Sequence, residues 1–519
     1  AAERLADHER DIAKEAAAQG EAVLAFLRDK VLGAAGPEGQ GNGLGRDVTL
    51  RAAIDAAEVA IASDFADRPA VESALRQTLG STYTDLGDYA AAIRQLERAR
   101  QLRVAAEGER SEGALDVLDR LTWAMLRNGD VAGAVAMLEG AVAPNAEGQP
   151  IRAIDLRIQA ALASALGEAD RYEDAIAQLQ SLLPRQRALL GSEHPDVLMT
   201  QNNLGGLLAE SGRVAEGLPY LEAQLATIRR QKGADHSDTI LAEGNLGTLY
   251  RLADRPVEAE RLLRGARDRA RKVFGPEHDL SENMGFNLAV TLRALGRDEE
   301  LPDLLQPLIE ARSRRGVGVW QLQMQLAVAW INLGQAERAR PLLTALEARF
   351  LDSAGKNSDG ANQLMRLARH RLRLGDDDIA ARIARTAGEL ARSKTPPDTL
   401  LEASSGSVEA VARWHGGGDR GAALKGLDAA VTVMQEQAAE DPDTMWAQAQ
   451  RAFADADCGR MGDQLPTILE RLRALPITQD AGRRTLRSLA ADAAAAFAAC
   501  GDSARSAQFA AMARDQPKL

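Results

Sequence analysis

"GSEHPDVLMTQNNLGGLLAESGR" (residues 191–213) is followed 42 residues later by "GADHSDTILAEGNLGTLYRLADR" (233–255). After another 42 comes "GPEHDLSENMGFNLAVTLRALGR" (275–297). His194, His236 and His278 fall in step, and so do Asn203, Asn245 and Asn287. A segment this short cannot bury its own apolar face, so a fixed period implies an array in which each unit is stabilised by the next. Within each unit apolar residues recur at three- and four-residue spacing, and Gly-Asp or Gly-Arg dipeptides interrupt them. That is the period of helices, and no stretch alternates as a strand would.

The rest of the chain agrees with an all-α reading. At 519 residues it is too long for one hydrophobic core. Aromatic residues make up 3% of it, and Ala and Leu dominate the apolar set. This mixture suits closely packed helices, whereas a β-sandwich calls for more β-branched and aromatic side chains. The net charge of -12 excludes a general attraction to a phosphate backbone, and nucleic acid is not an expected partner. No run reaches the roughly 20 apolar residues of a membrane span. There is no starting Met and no signal-peptide pattern. The chain opens inside a helical pattern already under way, "AAERLADHERDIAKEAAAQGEAVLAFLRDKVL". It reads as a piece of something longer.

A second stretch, "ALRQTLGSTYTDLGDYAAAIRQLERA" (74–99), carries Leu79, Gly80, Tyr83, Gly87, Ala92, Leu96 and Ala99. These landmarks resemble the tetratricopeptide repeat, Leu-Gly-x-x-Tyr followed by Ala-x-x-x-Phe. The resemblance implies two antiparallel helices per repeat, with Gly80 and Ala92 where they cross and Tyr83 and Leu96 filling the space toward the next pair. Related landmarks recur at Gly129, Ala134 and Leu138, at Ala163, Ala175 and Leu179, at Gly205, Gly217 and Leu221, and at Gly247, Ala259 and Leu263. They continue through Ala289 and Leu305, Ala327 and Leu343, and Ala368 and Ala380. Beyond residue 395 they degrade, although Gly418-Asp419, Gly462-Asp463 and Gly501-Asp502 keep marking turns. The expected count is eight clear repeats and up to three degenerate ones, in an α-solenoid wound as a right-handed superhelix. The expected organisation is an N-terminal helix over 1–33, a flexible Gly-rich linker over 34–46 and a leading helix over 47–66. Regular repeats follow over 67–313, less regular ones over 314–394 and degenerate ones over 395–519.

A period of 42 exceeds the usual 34 by about two helical turns. With Gly-x-Glu/Asp-His before the first helix and Asn-Leu-Gly/Ala within it, residues 155–310 resemble the repeats of kinesin light chains and their bacterial relatives. That resemblance implies a groove lined by first helices, in which Asn side chains hold an extended peptide. The matching positions here are Asn203, Asn245 and Asn287, with Asn202 and Asn283 beside them and Arg251 and Arg293 near the ends of the same helices. The competing reading is that each Asn ties its repeat to its neighbour by an amide hydrogen bond.

The histidines do not read as a metal site. Repeats are spaced by at least the 8–10 Å of packed helices, while zinc needs its nitrogens at about 2.1 Å. Each imidazole is expected instead to close the loop into the next helix, with Pro195, Asp196 and Asp238 as first-turn signals. No catalytic constellation is present. "GQGNGLG" (39–45) follows no strand and fails the dinucleotide spacing, and the chain has no nucleophile elbow, Cys-x-x-Cys, His-Glu-x-x-His or kinase elements. Carboxylates are expected on solvent faces. No enzyme activity, cofactor or metal is expected of these residues.

The order of segments in residues 1–110 resembles the region that follows the kinase domain and single membrane helix in bacterial receptor-like serine/threonine kinases with C-terminal tetratricopeptide repeats. That resemblance implies a periplasmic sensor, with a kinase and a span preceding Ala1 and possible homodimerisation. Cys458 and Cys500 are the two cysteines. An oxidising compartment would allow a bridge, but that needs Cα atoms about 4.4–6.8 Å apart, closer than neighbouring helices usually sit, so small core thiols remain the alternative. The expected function is a non-catalytic module binding a peptide or protein. A cytoplasmic scaffold and a peptide-sensing regulator are the alternatives.

Overall fold

The computed structural model describes residues 20–38, 43–142, 151–353, 360–394, 396–474 and 480–514, and every regular element among them is helical. Residues 1–19 of the expected N-terminal helix lie outside them. The helices are α1 Leu50–Asp64, α2 Pro69–Asp85, α3 Tyr89–Glu107, α4 Glu112–Arg127, α5 Val131–Ala141, α6 Ala153–Glu168, α7 Tyr172–Leu190 and α8 Pro195–Glu210. Next come α9 Val214–Lys232, α10 Ser237–Leu252, α11 Pro256–Phe274, α12 Asp279–Ala294, α13 Leu301–Arg314, α14 Trp320–Asn332, α15 Ala336–Ser353 and α16 Gly360–Arg373. The chain continues with α17 Asp377–Ser393, α18 Thr399–His415, α19 Arg420–Ala438, α20 Pro442–Asp455, α21 Cys458–Ala474, α22 Asp480–Ala499 and α23 Ser503–Arg514. From α2 onward, even-numbered helices open a pair and odd-numbered ones close it. The helices form two compact units, residues 1–224 and 225–519, with the boundary inside α9.

The turn within each pair explains why the array is so regular. The amide of the residue after the turn donates back to a carbonyl five residues earlier: Asp88 to Tyr83, Asp130 to Met125, Arg255 to Tyr250, Asp376 to Arg371 and Asp502 to Phe497. The same bond closes every pair except α20–α21, and it satisfies a carbonyl that the helix end would leave orphaned. The residue just before the donor takes a positive φ, at Gly87 and Gly129 for example. Where Gly is replaced, Asp170 and Asp254 adopt φ of 58° and 63°, a conformation that Asp tolerates better than most residues.

Small residues set the crossings, as the repeat pattern leads one to expect. A Cβ on Gly80 would lie 2.6 Å from Leu96 Cγ, one on Gly247 2.7 Å from Leu263 Cγ, and one on Gly217 2.7 Å from the Gly205 carbonyl oxygen. Tyr83 departs from the expectation. Its ring is fully buried, but its hydroxyl reaches back to Asp55 Oδ1 at 2.7 Å and Glu58 Oε2 at 3.1 Å, so it docks the first pair onto α1.

The described part of the Gly-rich segment is not an open linker. Leu44 N donates to Ala34 O at 2.7 Å and Gly45 N to Gly36 O at 3.0 Å, and Ala34 is fully buried. Residues 39–42 lie outside the described residues. At the other end, Cys458 and Cys500 form a disulfide with a Cα–Cα separation of 6.0 Å. Cys458 opens the second helix α21 and Cys500 directly follows the first helix α22. The helices meet at their ends there, which is why axis-to-axis spacing misjudged the distance.

Candidate interaction faces

In each unit the first helices of successive pairs pack on one another: α2–α4–α6–α8 in the first, α10–α12–α14–α16–α18–α20–α22 in the second. The second helices make no corresponding row among the described residues. Each unit therefore presents a continuous face of first-helix side chains.

In the first unit that face is tied together by charge. Gln77 Nε2 (α2) donates to Asp116 Oδ2 (α4) at 2.6 Å, and Arg120 bridges Asp116 and Ser81, both at 3.3 Å. Arg157 (α6) reaches Asp116 and places Nε 3.2 Å from Asp119 Oδ2. Burial would raise the Asp116 carboxyl, but Arg120 and Arg157 outweigh it and hold the group below its ordinary value. Asp119 is more enclosed, and burial raises it despite Arg157. Trp123 continues the same helical stripe at i+4 from Asp119 and is 55% exposed, while Met199 on α8 is 63% exposed. Val23 and Leu24 of the N-terminal helix join Gln77, Thr78, Ser81 and Arg120 around a cavity of 670 Å³.

The sequence-derived candidates divide between the units. Asn202 and Asn203 lie on α8. Asn203 Nδ2 donates to Ser164 Oγ on α6 at 3.2 Å, the repeat-to-repeat bond of the competing reading, and Asn202 lies 3.5 Å from the Asn203 amide oxygen. In the second unit Asn245 and Arg251 lie on α10, and Asn283, Asn287 and Arg293 on α12. Asn283 is exposed and the other four are half-buried. Gly244 lets α12 come close: a Cβ there would meet Met284 Cε at 2.4 Å and Asn287 Nδ2 at 3.8 Å. Arg293 hydrogen-bonds Gln325 on α14, so it too links repeats.

The histidines act as helix caps. Nδ1 of His194, His236 and His278 accepts the amide of the residue two further on, at 3.1–3.2 Å, which requires that nitrogen to carry no proton. Glycines at positive φ, Gly191, Gly233 and Gly275, end the helix before each cap. Thr239 Oγ1 and Ser281 Oγ donate to the carbonyls of Gly233 and Gly275, at 2.6 and 2.7 Å, which fastens each loop to the helix after it.

Carboxylates depart from the expectation of solvent faces. Glu243 is fully buried between Arg229 (α9) and Arg269 (α11), Glu282 meets Arg312 and Arg315, and Glu72 meets Arg76 and Arg98. A signal for them was present. Glu72–Arg98, Gln159–Arg185 and Glu243–Arg269 all lie 26 residues apart, a first-helix acceptor and a second-helix guanidinium at one spacing. Such pairs compensate buried charge and fix register more than they add net stability.

Comparison with known proteins supports the repeat assignment. The tetratricopeptide repeat family matches residues 155–216, 196–264 and 242–300, and a second tetratricopeptide repeat profile matches 74–112. No curated protein matches significantly. Among solved structures, the apo form of RapI is similar at 11% identity and a TM-score of 0.48, over 77% of this chain and 96% of that one. A Rap protein complexed with competence and sporulation factor has 10% identity and a TM-score of 0.43, over 78% and 97%. Nearly identical TPR-like repeats assigned to a kinesin light chain, from Podosopora anserina, have 25% identity and a TM-score of 0.36, over 40% and 98%. The fold is an all-α tetratricopeptide-type solenoid.

Proposed function

We propose that this chain is a non-catalytic module that binds a protein or peptide partner on its first-helix faces. The observation that supports it most is the continuous face itself. First helices touch along each unit, they are fixed to one another by polar bonds, and large apolar side chains (Trp123, Met199, Leu241) stand exposed among charged and amide groups. An aromatic anchor set among polar groups is the usual make-up of a binding hot spot. Asn245, Asn283, Asn287 and Arg251 would hydrogen-bond an extended backbone in the second unit, while Asn203 chiefly ties repeats together. Peptides selected on the whole chain test this. Trp123→Ala or Asn245→Ala should weaken the selected binder at least tenfold with little change in melting temperature. A binder indifferent to both would contradict the proposal.

The finer reading is that the module is the periplasmic sensor of a receptor-like serine/threonine kinase, in which partner binding alters pairing of the chains. Two observations support an oxidising compartment and a linked N-terminus. The Cys458–Cys500 bridge is a bond that reducing cytosol disfavours. The N-terminal helix lies against α1, with Phe26 edge-on to Phe65 at 5.7 Å, and Val23 and Leu24 border the α2–α4 face. No helix among the described residues is long and apolar enough to cross a membrane. The reading frame upstream of Ala1 should then encode a kinase and a membrane span, and a frame with neither would remove this reading while leaving the binding module intact.

A further inference from the structure

Near its C-terminal end the array departs from its own rule at one turn. Every other pair closes with an amide that reaches back five residues, and the α20–α21 turn does not. Its left-handed residue is Ala456, at φ 51°, where the other pairs place Gly or Asp. A Cβ makes that conformation costly, and the methyl group offers no local hydrogen bond in return. Asp455 beside it accepts from Arg460 Nη2 at 3.0 Å through Oδ1, but its Oδ2 is buried without a hydrogen-bond partner among the described residues. The disulfide begins two residues after Ala456 and fastens the pair α20–α21 to the last pair, α22–α23. Its two ends are not equivalent. Cys458 is exposed, whereas Cys500 is half-buried and packs against the core at the end of the array. In that core Met461, Leu465 and Leu469 of α21 meet Leu489 and Phe497 of α22 and Phe509 of α23.

We infer that Cys458 is a thiol-exchange site, at which a low-molecular-weight thiol opens the bridge in the folded chain and loosens the last pair. The thiolate of the small thiol attacks Cys458 Sγ and bonds to it. The bond between Cys458 and Cys500 breaks, its electron pair leaves with Cys500, and the Cys500 thiolate takes a proton from water. A second small thiol then attacks the sulfur of the first, releases Cys458 as a thiol and leaves as the symmetrical disulfide. Two small thiols are oxidised for each bridge reduced. In the reverse direction Cys500 attacks the mixed disulfide on Cys458 and restores the bridge. The exposed sulfur is the one attacked because access governs the rate of exchange, and exposed bridges are the exchangeable ones. The effect stays local because units of an array contact only their neighbours. With the bridge open, the α20–α21 turn has neither the closing bond of the other pairs nor a residue that tolerates its conformation, so it is the element least able to keep its geometry. The bridge lies outside the regular repeats, and its opening does not depend on what binds their first-helix faces.

Three measurements on the whole chain test this. Reduced glutathione and dithiothreitol are added to the oxidised protein with and without denaturant, and free thiols are counted by mass after alkylation. Opening in the folded chain should be proportional to thiol concentration and lie within about tenfold of the rate in denaturant. A rate independent of thiol concentration, or more than about a hundredfold slower than in denaturant, means that the bridge opens only after unfolding and overturns the inference. Oxidised glutathione on single variants then tests the polarity. Cys500→Ser, which keeps Cys458, should form the mixed disulfide at least about tenfold faster than Cys458→Ser, which keeps Cys500. Equal rates or the reverse order would contradict attack at Cys458. Hydrogen exchange on the reduced, otherwise unaltered chain should show protection lost from α21–α23 and regained when the bridge re-forms, and unchanged protection would contradict the loosening.

Discussion

The regular pairs α8–α13 and the C-terminal pairs α18–α23 reach the same architecture by different chemistry. In the former, helix starts are capped by His194, His236 and His278. In the latter, Asp398 accepts from Leu401 N at 3.1 Å, and Asp441 accepts from Asp443 N at 2.7 Å. Thr444 Oγ1 donates to Ala438 O at 2.7 Å, the staple that Thr239 and Ser281 make in the regular repeats. Crossings differ as well. Gly205 and Gly247 let Leu221 and Leu263 in, whereas the last pair stacks Phe497 on Phe509 at 5.5 Å beside the Cys458–Cys500 bridge. A helix pair needs a closed turn, a capped start and a filled crossing, and more than one set of side chains supplies each.

This contrast can be broken at its strongest point first. A disulfide closing a loop of this length stabilises by about 2–4 kcal/mol, and in an array that effect stays local. Cys458→Ser with Cys500→Ser should therefore strip hydrogen-exchange protection from α21–α23 and leave α8–α13 as they were. Gly217→Val comes next, because its side chain would run into the backbone of Gly205. A loss of about 1–3 kcal/mol in denaturant melts is expected, centred on α8 and α9. His236→Ala should cost about 1 kcal/mol by removing a cap, while His236→Asp should retain most of it if Asp441 does the same work. The smallest effect has the opposite sign. Gly206 has open space where a Cβ would sit, so Gly206→Ala should stabilise by up to about 1 kcal/mol.

What was legible in the sequence follows from where the information is local. Turn chemistry is local, and Gly418-Asp419 and Gly501-Asp502 located helix turns well into the degenerate region, whereas Gly462-Asp463, expected to mark a turn, lies inside α21. Crossing residues recur at a fixed offset, so Gly80 with Leu96 and Gly247 with Leu263 could be placed. The C-terminal caps were also in view, since "EDPD" (440–443) echoes "EHPD" (193–196), yet Asp in place of His hid the likeness. The backward reach of Tyr83 depends on which helices face each other, which a periodic pattern does not specify, and the burial of Glu243 was signalled only by its 26-residue spacing to Arg269. The ion pair of Arg369 with Asp443 was the least visible feature, because the two are 74 residues apart and meet only through packing across two pairs.

The claim on which the function rests is that partners bind the first-helix faces. Hydrogen exchange on the whole chain, with and without a peptide selected for tight binding, tests it directly. Protection is expected to gather on α2, α4, α6 and α8 or on α10, α12 and α14. Protection confined to the second helices, with the first helices unchanged, would contradict the account.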